Sequence, residues 1–424
     1  MANYNDNTFK VNDVNVFAGN NAGAANTDSP IFEDSTGGYA NVGVGADALE
    51  KNKRGWRNTA VGFKALANNT EGHYNTAIGD NALEFNIGQK VDGSQDPGAR
   101  NTAVGSYALR YNTVGRGNVA MGRDAAHSNE TGNYNTAIGT NAYSGTVTEG
   151  GQQDRKKASY NTAIGYNALF NTDADRNVGL GAWAGYDNKD GINNVIIGVN
   201  ANRKSTASNR NVSVGNEVMS SMTSGLDNTA IGTEALTNLK TGNSNTAVGD
   251  LALAYDISGN PLTSITDSVG LGKQSRASGD KQVQLGRSGT TTYAYGAVQN
   301  RSDIRDKADV RDTELGLDFI KKLRPVDFKW DYREDYSEIQ EDGSIVKHEK
   351  DGSKKGKRFH HGLIAQEVQE VIEETGKDFG GFQDHSVSGG SDVLSLGYEE
   401  LIAPLIKAVQ ELSAELAEVK KAKK

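Results

Sequence analysis

The chain has 424 residues, among them 51 Gly, only 5 Pro and no Cys. Without Cys there is no disulfide framework and no thiolate metal site. Gly at about 12 %, against a usual roughly 7 %, points to many tight turns between short strands, and the scarcity of Pro excludes collagen and Pro-rich linkers. The formal net charge of −9 speaks against a protein that neutralises nucleic-acid phosphates.

The start, Met1-Ala2-Asn3-Tyr4-Asn5-Asp6-Asn7, has neither a basic region nor an apolar core, so no secretory signal is expected. No run of about 18 apolar residues is present, so no membrane insertion is expected. The expectation is a product made in the cytoplasm that leaves by lysis or on a particle. Residues 1–14 read as an N-terminal segment that could attach the chain to something else.

From residue 15 to 287 the chain repeats itself. Asn75-Thr76-Ala77-Ile78-Gly79 recurs, with Val for Ile in some copies, at Asn58, Asn101, Asn135, Asn161, Asn228 and Asn245. Looser copies begin at Asn15, Asn41, Asn118, Asn177, Asn194, Asn211, Ser268 and Gln282. The commonest step is 17 residues; the steps that follow Asn15, Asn75 and Asn135 are 26, which places insertions in segments 24–40, 84–100 and 144–160. This period predicts a mainly β fold, a parallel β-solenoid or β-roll. Each coil has one strand at the anchor, a Gly turn, a second short strand at Ala-Leu and a longer return. The fifteen anchors imply a ladder roughly 65 Å long at about 4.8 Å per step. Alternation along the first strand puts Thr and Ile on one face. A 17-residue coil encloses too little apolar area to stand alone, so neighbouring coils and neighbouring chains must bury it.

The repeat resembles the head of trimeric autotransporter adhesins, where an Asn-Ser-Val-Ala-Ile-Gly-like motif builds a left-handed parallel β-roll in a trimer. Tyr74, Tyr134 and Tyr160 depart from it, standing where that motif begins with Asn. Handedness and trimer packing are implications of the resemblance. The insertions are surface loops of the kind that carry recognition. Trp56, Tyr74, Tyr134, Tyr160 and Trp183 are candidate receptor-facing residues, with faces suited to sugars. Each has a plainer reading as coil or trimer packing.

Residues 288–301 read as a linker, and 302–424 as a mixed α/β domain. Leu315–Leu323 has a helical pattern ended by Arg324-Pro325. Val326–Trp330 alternates like a strand. The polar segment 334–358 reads as a flexible hairpin, and a helix is expected from Gly362 onward. Ile402, Leu405, Val409, Leu412, Leu416 and Val419 follow steps of 3 and 4, the a/d seam of a coiled-coil-like helix. The seam suits a trimer clamp, or a helix packed on its own domain. His360-His361 lacks further ligands at metal spacing, and neither a metal nor a cofactor is expected.

Ser302 and Lys307 can form a dyad, because a lysine whose pKa is lowered can take the serine proton and free a nucleophilic oxygen. Alone the spacing is weak. In company it is specific: Ser302-Asp303-x-Arg305-x-Lys307, then Leu323-Arg324-Pro325-Val326, then Gly362-Leu363-Ile364-Ala365-Gln366-Glu367-Val368, then Tyr398 and a terminal helix. This order resembles the endosialidase-type intramolecular chaperone that ends many phage tail fibres and tailspikes. The resemblance implies a trimeric folding aid that removes itself by autoproteolysis. Ser302 would be the nucleophile, Lys307 the base, and the cut would fall between Arg301 and Ser302. Asp303 and Arg305 would hold positioning roles.

The expected whole is a homotrimeric phage tail fibre in the virion. It would bind a host surface receptor, a glycan or an outer-membrane protein, and join other tail proteins through its N-terminus. Self-cleavage would be its only chemistry. The alternatives are a glycan-degrading tailspike, which needs two carboxylates facing one cleft, and a cell-surface trimeric adhesin.

Overall fold

The computed structural model describes residues 9–11, 15–26, 37–88, 96–145, 156–295, 298–340, 345–388 and 393–423. The central parts of the three insertions, 27–36, 89–95 and 146–155, and most of the N-terminal segment lie outside the described residues. The chain forms two compact units, one of residues 1–254 and 261–275, the other of 255–260 and 276–424. The compact division places the strand at the Gln282 anchor, Val283–Leu285, in the second unit.

In the first unit every anchor from Asn15 to Ser268 opens a three-residue strand. These strands pair in parallel and in register, each with the next, as Thr59↔Thr76 and Val61↔Ile78 show. Phe9–Val11 runs antiparallel to the first of them. The middle residue of each strand points inward, and Ala60, Ala77, Ala103, Ala120 and Ala137 are fully buried. The flanking positions point out, as the alternation required. Val61, Ile78, Met121, Ile164 and Ile231 therefore form an exposed apolar column along the sheet.

The anchor asparagines hold this stack together. Each side chain from Asn15 to Asn245 is buried; its Oδ1 accepts from the amide of the next anchor, and in all but Asn161 its Nδ2 donates to a carbonyl just before that anchor. Asn101 Oδ1 accepts from the Asn118 amide at 3.0 Å, while its Nδ2 donates to Gly115 O at 2.9 Å. The same Oδ1-to-amide bond links every successive anchor from Asn15 to Ser268, including the 16-residue step from Asn161 to Asn177. Valine or serine cannot do this: the job needs an acceptor and a donor on one planar group.

A second ladder went unread in the sequence. Asn52, Asn69, Asn86, Asn112 and Asn129 are wholly buried, and each donates to the Oδ1 of the one before, Asn69 to Asn52 at 2.7 Å. Each also donates to a carbonyl further along its own coil, Asn69 to Gly72 O at 3.0 Å. In later coils the position holds Ser205, Met222 and Leu239. The local side-chain bond, a competitor of regular pairing, is gone there. The segments that follow form a second parallel sheet, Ala207–Asn209, Ser224–Leu226, Thr241–Asn243 and Ser264–Thr266.

The expected second strand at Ala-Leu is absent; those residues form consecutive turns. Backbone handedness explains why. Lys64 and Leu66 have φ of 53° and 51°. With that alternation the Leu66 amide reaches the next coil, at Ala82 O, while Ala67 closes on Lys64 O within its own coil. A left-handed leucine costs about 1–2 kcal/mol. Burying its side chain completely contributes about 1.5–3 kcal/mol, so the pose is sustained. Gly is obligatory one step earlier: Gly79 has φ 138°, and a Cβ there would lie 2.5 Å from Gly105 O.

In the second unit α1 (Leu317–Lys322) falls within the helical run read from the sequence and stops before Pro325. The strand Val326–Phe328 pairs antiparallel with His360–Gly362, and Ser337–Ile339 pairs with Ile345–Lys347 as the expected hairpin. The helix expected from Gly362 begins later, as α2 (Ala365–Thr375), because Gly362 is spent in the strand. Gly376, at φ 63°, closes α2 through its amide to Ile372 O at 2.9 Å. The core is Leu315, Phe319, Val368, Val371 and Phe379. The last helix, α3 (Ile402–Ala422), carries Pro404 in its first turn. It buries Pro404 and Ala408, and Glu411 caps the Leu317 amide of α1 at 2.7 Å. The heptad residues lie on another face and remain open, with Val409 63 % and Leu412 52 % exposed.

Two substitutions test the stacking account. Asn101→Ala removes the acceptor of the Asn118 amide and one of the two donors to Gly115 O, which keeps Asn112, and should destabilise the repeat by about 1–3 kcal/mol per chain, read as a lower midpoint in guanidinium. Gly79→Ala adds strain to a clash with backbone that cannot move, and should lower that midpoint further than Asn101→Ala does.

Candidate functional site

The dyad is built by one short turn. Asp303 is extended and caps a 3₁₀ turn, Ile304–Asp306, by accepting from the Arg305 amide at 3.0 Å. Lys307 closes the turn with its amide on Ile304 O and is extended again. The chain therefore doubles back between Ser302 and Lys307, and Lys307 Nζ donates to Ser302 Oγ at 2.7 Å.

Two ion pairs brace the turn. Arg305 grips Asp303 in the two-toothed manner, Nε to Oδ1 at 3.0 Å and Nη2 to Oδ2 at 2.6 Å. The guanidinium holds the Asp303 carboxyl below its usual pKa. Arg301 Nε meets Asp306 Oδ2 at 2.8 Å, so a side-chain bond straddles the peptide link between Arg301 and Ser302. All these groups are near solvent, where ion pairs contribute little; they set geometry.

The arrangement supplies a hydroxyl and an amine in hydrogen-bond contact beside one peptide bond. Its chemistry depends on cover. A lysine serves as a base only when burial or a neighbouring cation lowers its pKa. Ser302 and Lys307 are both exposed in the single chain, so a base at Lys307 would depend on something covering the turn.

The candidate receptor-facing residues fall into three groups. Trp56 lies between Tyr39, at 5.5 Å, and His73, at 4.8 Å, both rings nearly parallel to it. Tyr74 meets its edge, and Arg57 sits by both rings with Nη1 donating to Tyr74 Oη at 2.7 Å. Tyr134 stacks on Tyr160 at 5.5 Å, and Tyr160 is 57 % exposed. Trp183 contacts Tyr166 and Tyr186, with the Arg203 guanidinium 4.7 Å from its ring centre. Tyr39, His73 and Arg57 were missed in the sequence, although Tyr39, Trp56 and His73 stand 17 residues apart.

Elsewhere, His361 Nδ1 lies 2.6 Å from Asp327 Oδ1. Tyr398 Oη accepts from the Leu363 amide at 2.9 Å, and a Cβ on Gly362 would come within 2.4 Å of that hydroxyl. Among the described residues no group of three or more His, Cys, Asp or Glu side chains could hold a metal ion, and no helix is long and apolar enough to cross a membrane.

Comparison with curated proteins and with solved structures gave no match. The family model described as the chaperone of endosialidase matches residues 302–377, so its first residue is the dyad serine. The C-terminal part of the chain therefore carries a chaperone-of-endosialidase domain, and a β-solenoid of stacked coils ahead of such a domain fits a tail-fibre or endosialidase-type architecture.

Proposed function

We propose that the chain is the subunit of a homotrimeric phage tail fibre, and that its C-terminal domain drives assembly and then cuts itself off between Arg301 and Ser302. The observation that carries this reading is the Ser302–Lys307 contact at 2.7 Å, at the first residue of the matched domain. Chaperone domains of this kind imply trimerisation. Two open apolar surfaces support it: the heptad face of α3 and the column Val61, Ile78, Met121, Ile164 and Ile231 on the roll.

In the mechanism, three C-terminal domains close on one another through the α3 seams and cover the turn. Burial then favours the neutral amine of Lys307. Ser302 Oγ attacks the Arg301 carbonyl carbon while Lys307 takes the hydroxyl proton. The C–N bond breaks, the proton passes to the Ser302 amine, and an ester joins Arg301 to Ser302 Oγ. Water hydrolyses that ester, leaving a carboxylate on Arg301 and restoring the hydroxyl. Asp303 and Arg305 keep the turn in shape.

Long-range strand pairing is slow because closure entropy is lost before contacts form. A local clamp sets the register of three shafts first. Removing the clamp afterwards raises the barrier to unfolding, which is kinetic stability. The shaft would then meet a host glycan or outer-membrane protein through the aromatic groups around Trp56, Tyr74, Tyr134, Tyr160 and Trp183, repeated three times in the trimer for avidity. The N-terminus would join the virion. Carboxylates of the roll such as Glu84, Asp227 and Asp250 are tied to cations, which favours this reading over a glycan-degrading tailspike.

Wild-type protein should run as two pieces in a denaturing gel, and Ser302→Ala as one. Lys307→Arg keeps a cation that cannot give up its proton, so it should assemble and stay intact; efficient cutting by that variant would rule out lysine as the base. Val409→Asp together with Leu412→Asp places charge on the seam while sparing the packed face of α3. It should abolish trimers in light scattering and, with them, the cut. Cutting by a monomer would show that assembly does not create the base.

A further inference from the structure

The bond between Arg301 and Ser302 lies inside a compact body. The second unit contains residues 255–260 and 276–301, which stay with the shaft after a cut, together with 302–424, which leave. We propose that cutting does not itself release the chaperone piece: the shaft's terminal segment remains docked on it through His385, and release is a separate step. This rests on the self-cleavage reading above.

His385 follows the first strand of the pair Phe382–Asp384 and Leu394–Leu396, and its amide is fixed on Val393 O at 3.0 Å. In the tautomer protonated on Nε2, the ring donates to Ser395 Oγ at 2.8 Å. Nδ1 then accepts from the Gln282 amide nitrogen at 3.0 Å and contacts the Ser278 hydroxyl. Gln282 closes the circuit, its Oε1 accepting from the Ser278 amide at 3.0 Å. Ser278 is only 3 % exposed. Ser278 and Gln282 belong to the shaft side of the cut, His385 and Ser395 to the released side.

In that tautomer the circuit is neutral, and its contacts are part-buried, so salt should weaken it little. Removing the ring would break the bonds of this circuit that cross the cut, while Ser278 and Gln282 would still bond each other. Exposed pairs also join the same sides: Arg301 to Asp306, Asn300 to Glu399, Ser288 Oγ to Asp335 Oδ1 at 2.6 Å and Lys347 Nζ to Asn260 Oδ1 at 3.1 Å. In a trimer whose released pieces are themselves joined through α3, three latches act together, so a small loss at each is multiplied.

The experiment compares denaturing gels with native size-exclusion and light scattering on freshly cut protein. Wild type should show two bands when denatured yet elute as one particle holding both pieces. His385→Ala should be cut to the same extent but separate at least about tenfold faster, given three weakened contacts in parallel. Gln282→Ala, a change on the shaft side that leaves the chaperone domain intact, should do the same and guards against misfolding of the His385 variant. Wild-type pieces that part as fast as they are cut would overturn the inference alone, as would both variants holding on as long as wild type. An uncut wild-type chain would overturn this inference together with the reading beneath it.

Discussion

From Asn15 to Ser268 each coil is fastened to the next by a buried asparagine that accepts from the next anchor's amide and, as at Asn101, donates to a carbonyl just before that anchor. The rest of the molecule follows from that arrangement. Because the interior of a coil is occupied by amides, alanines and one leucine, it encloses little apolar volume. The strand's larger aliphatic side chains face outward. A single chain thus satisfies its polar groups along the stack and leaves its apolar groups open across it. Stacking is settled within the chain, while lateral burial needs other chains. That division leaves a role for an assembly aid, since the polar ladder does not set how neighbouring chains would meet.

The C-terminal unit has the same incompleteness in a different form. α3 uses Pro404, Ala408 and Glu411 to hold its own domain and leaves Val409, Leu412 and Leu416 open. One helix has two faces with separate duties. The dyad turn is likewise complete in geometry and incomplete in environment: Ser302 and Lys307 touch, but nothing among the described residues of the single chain removes water from them. If cover is what makes Lys307 a base, as proposed, the cut would be timed by assembly and could not remove the clamp too early.

Much of this was legible in the sequence. The coil period showed because the ladder tolerates little but Asn at its anchor and the tight Gly79-type turn tolerates only Gly. All fifteen anchors open strands. The seam of α3 and the Ser302–Lys307 pair were visible for similar reasons, each fixed by local spacing. The left-handed leucines were not visible, because propensity gives no hint that Leu66 would hold φ at 51° for the sake of a bond to the next coil. The interior column of Asn52, Asn69 and Asn86 kept the same 17-residue interval but was hidden among variable neighbours. The stack of Tyr39, Trp56 and His73 was hidden in the same way. The contact of Ser278 and Gln282 with His385 joins residues 107 and 103 apart in the chain, and no local pattern announces it.

The most direct test of the whole account is to express residues 1–301 without the C-terminal domain and measure the native mass and amide-exchange protection of the product. If three shafts must be brought together by that domain, the shortened chain should yield aggregates or unregistered monomers, with weak protection at the anchor amides such as Asn118. A trimer with full anchor protection, formed as readily as from the complete chain, would contradict it.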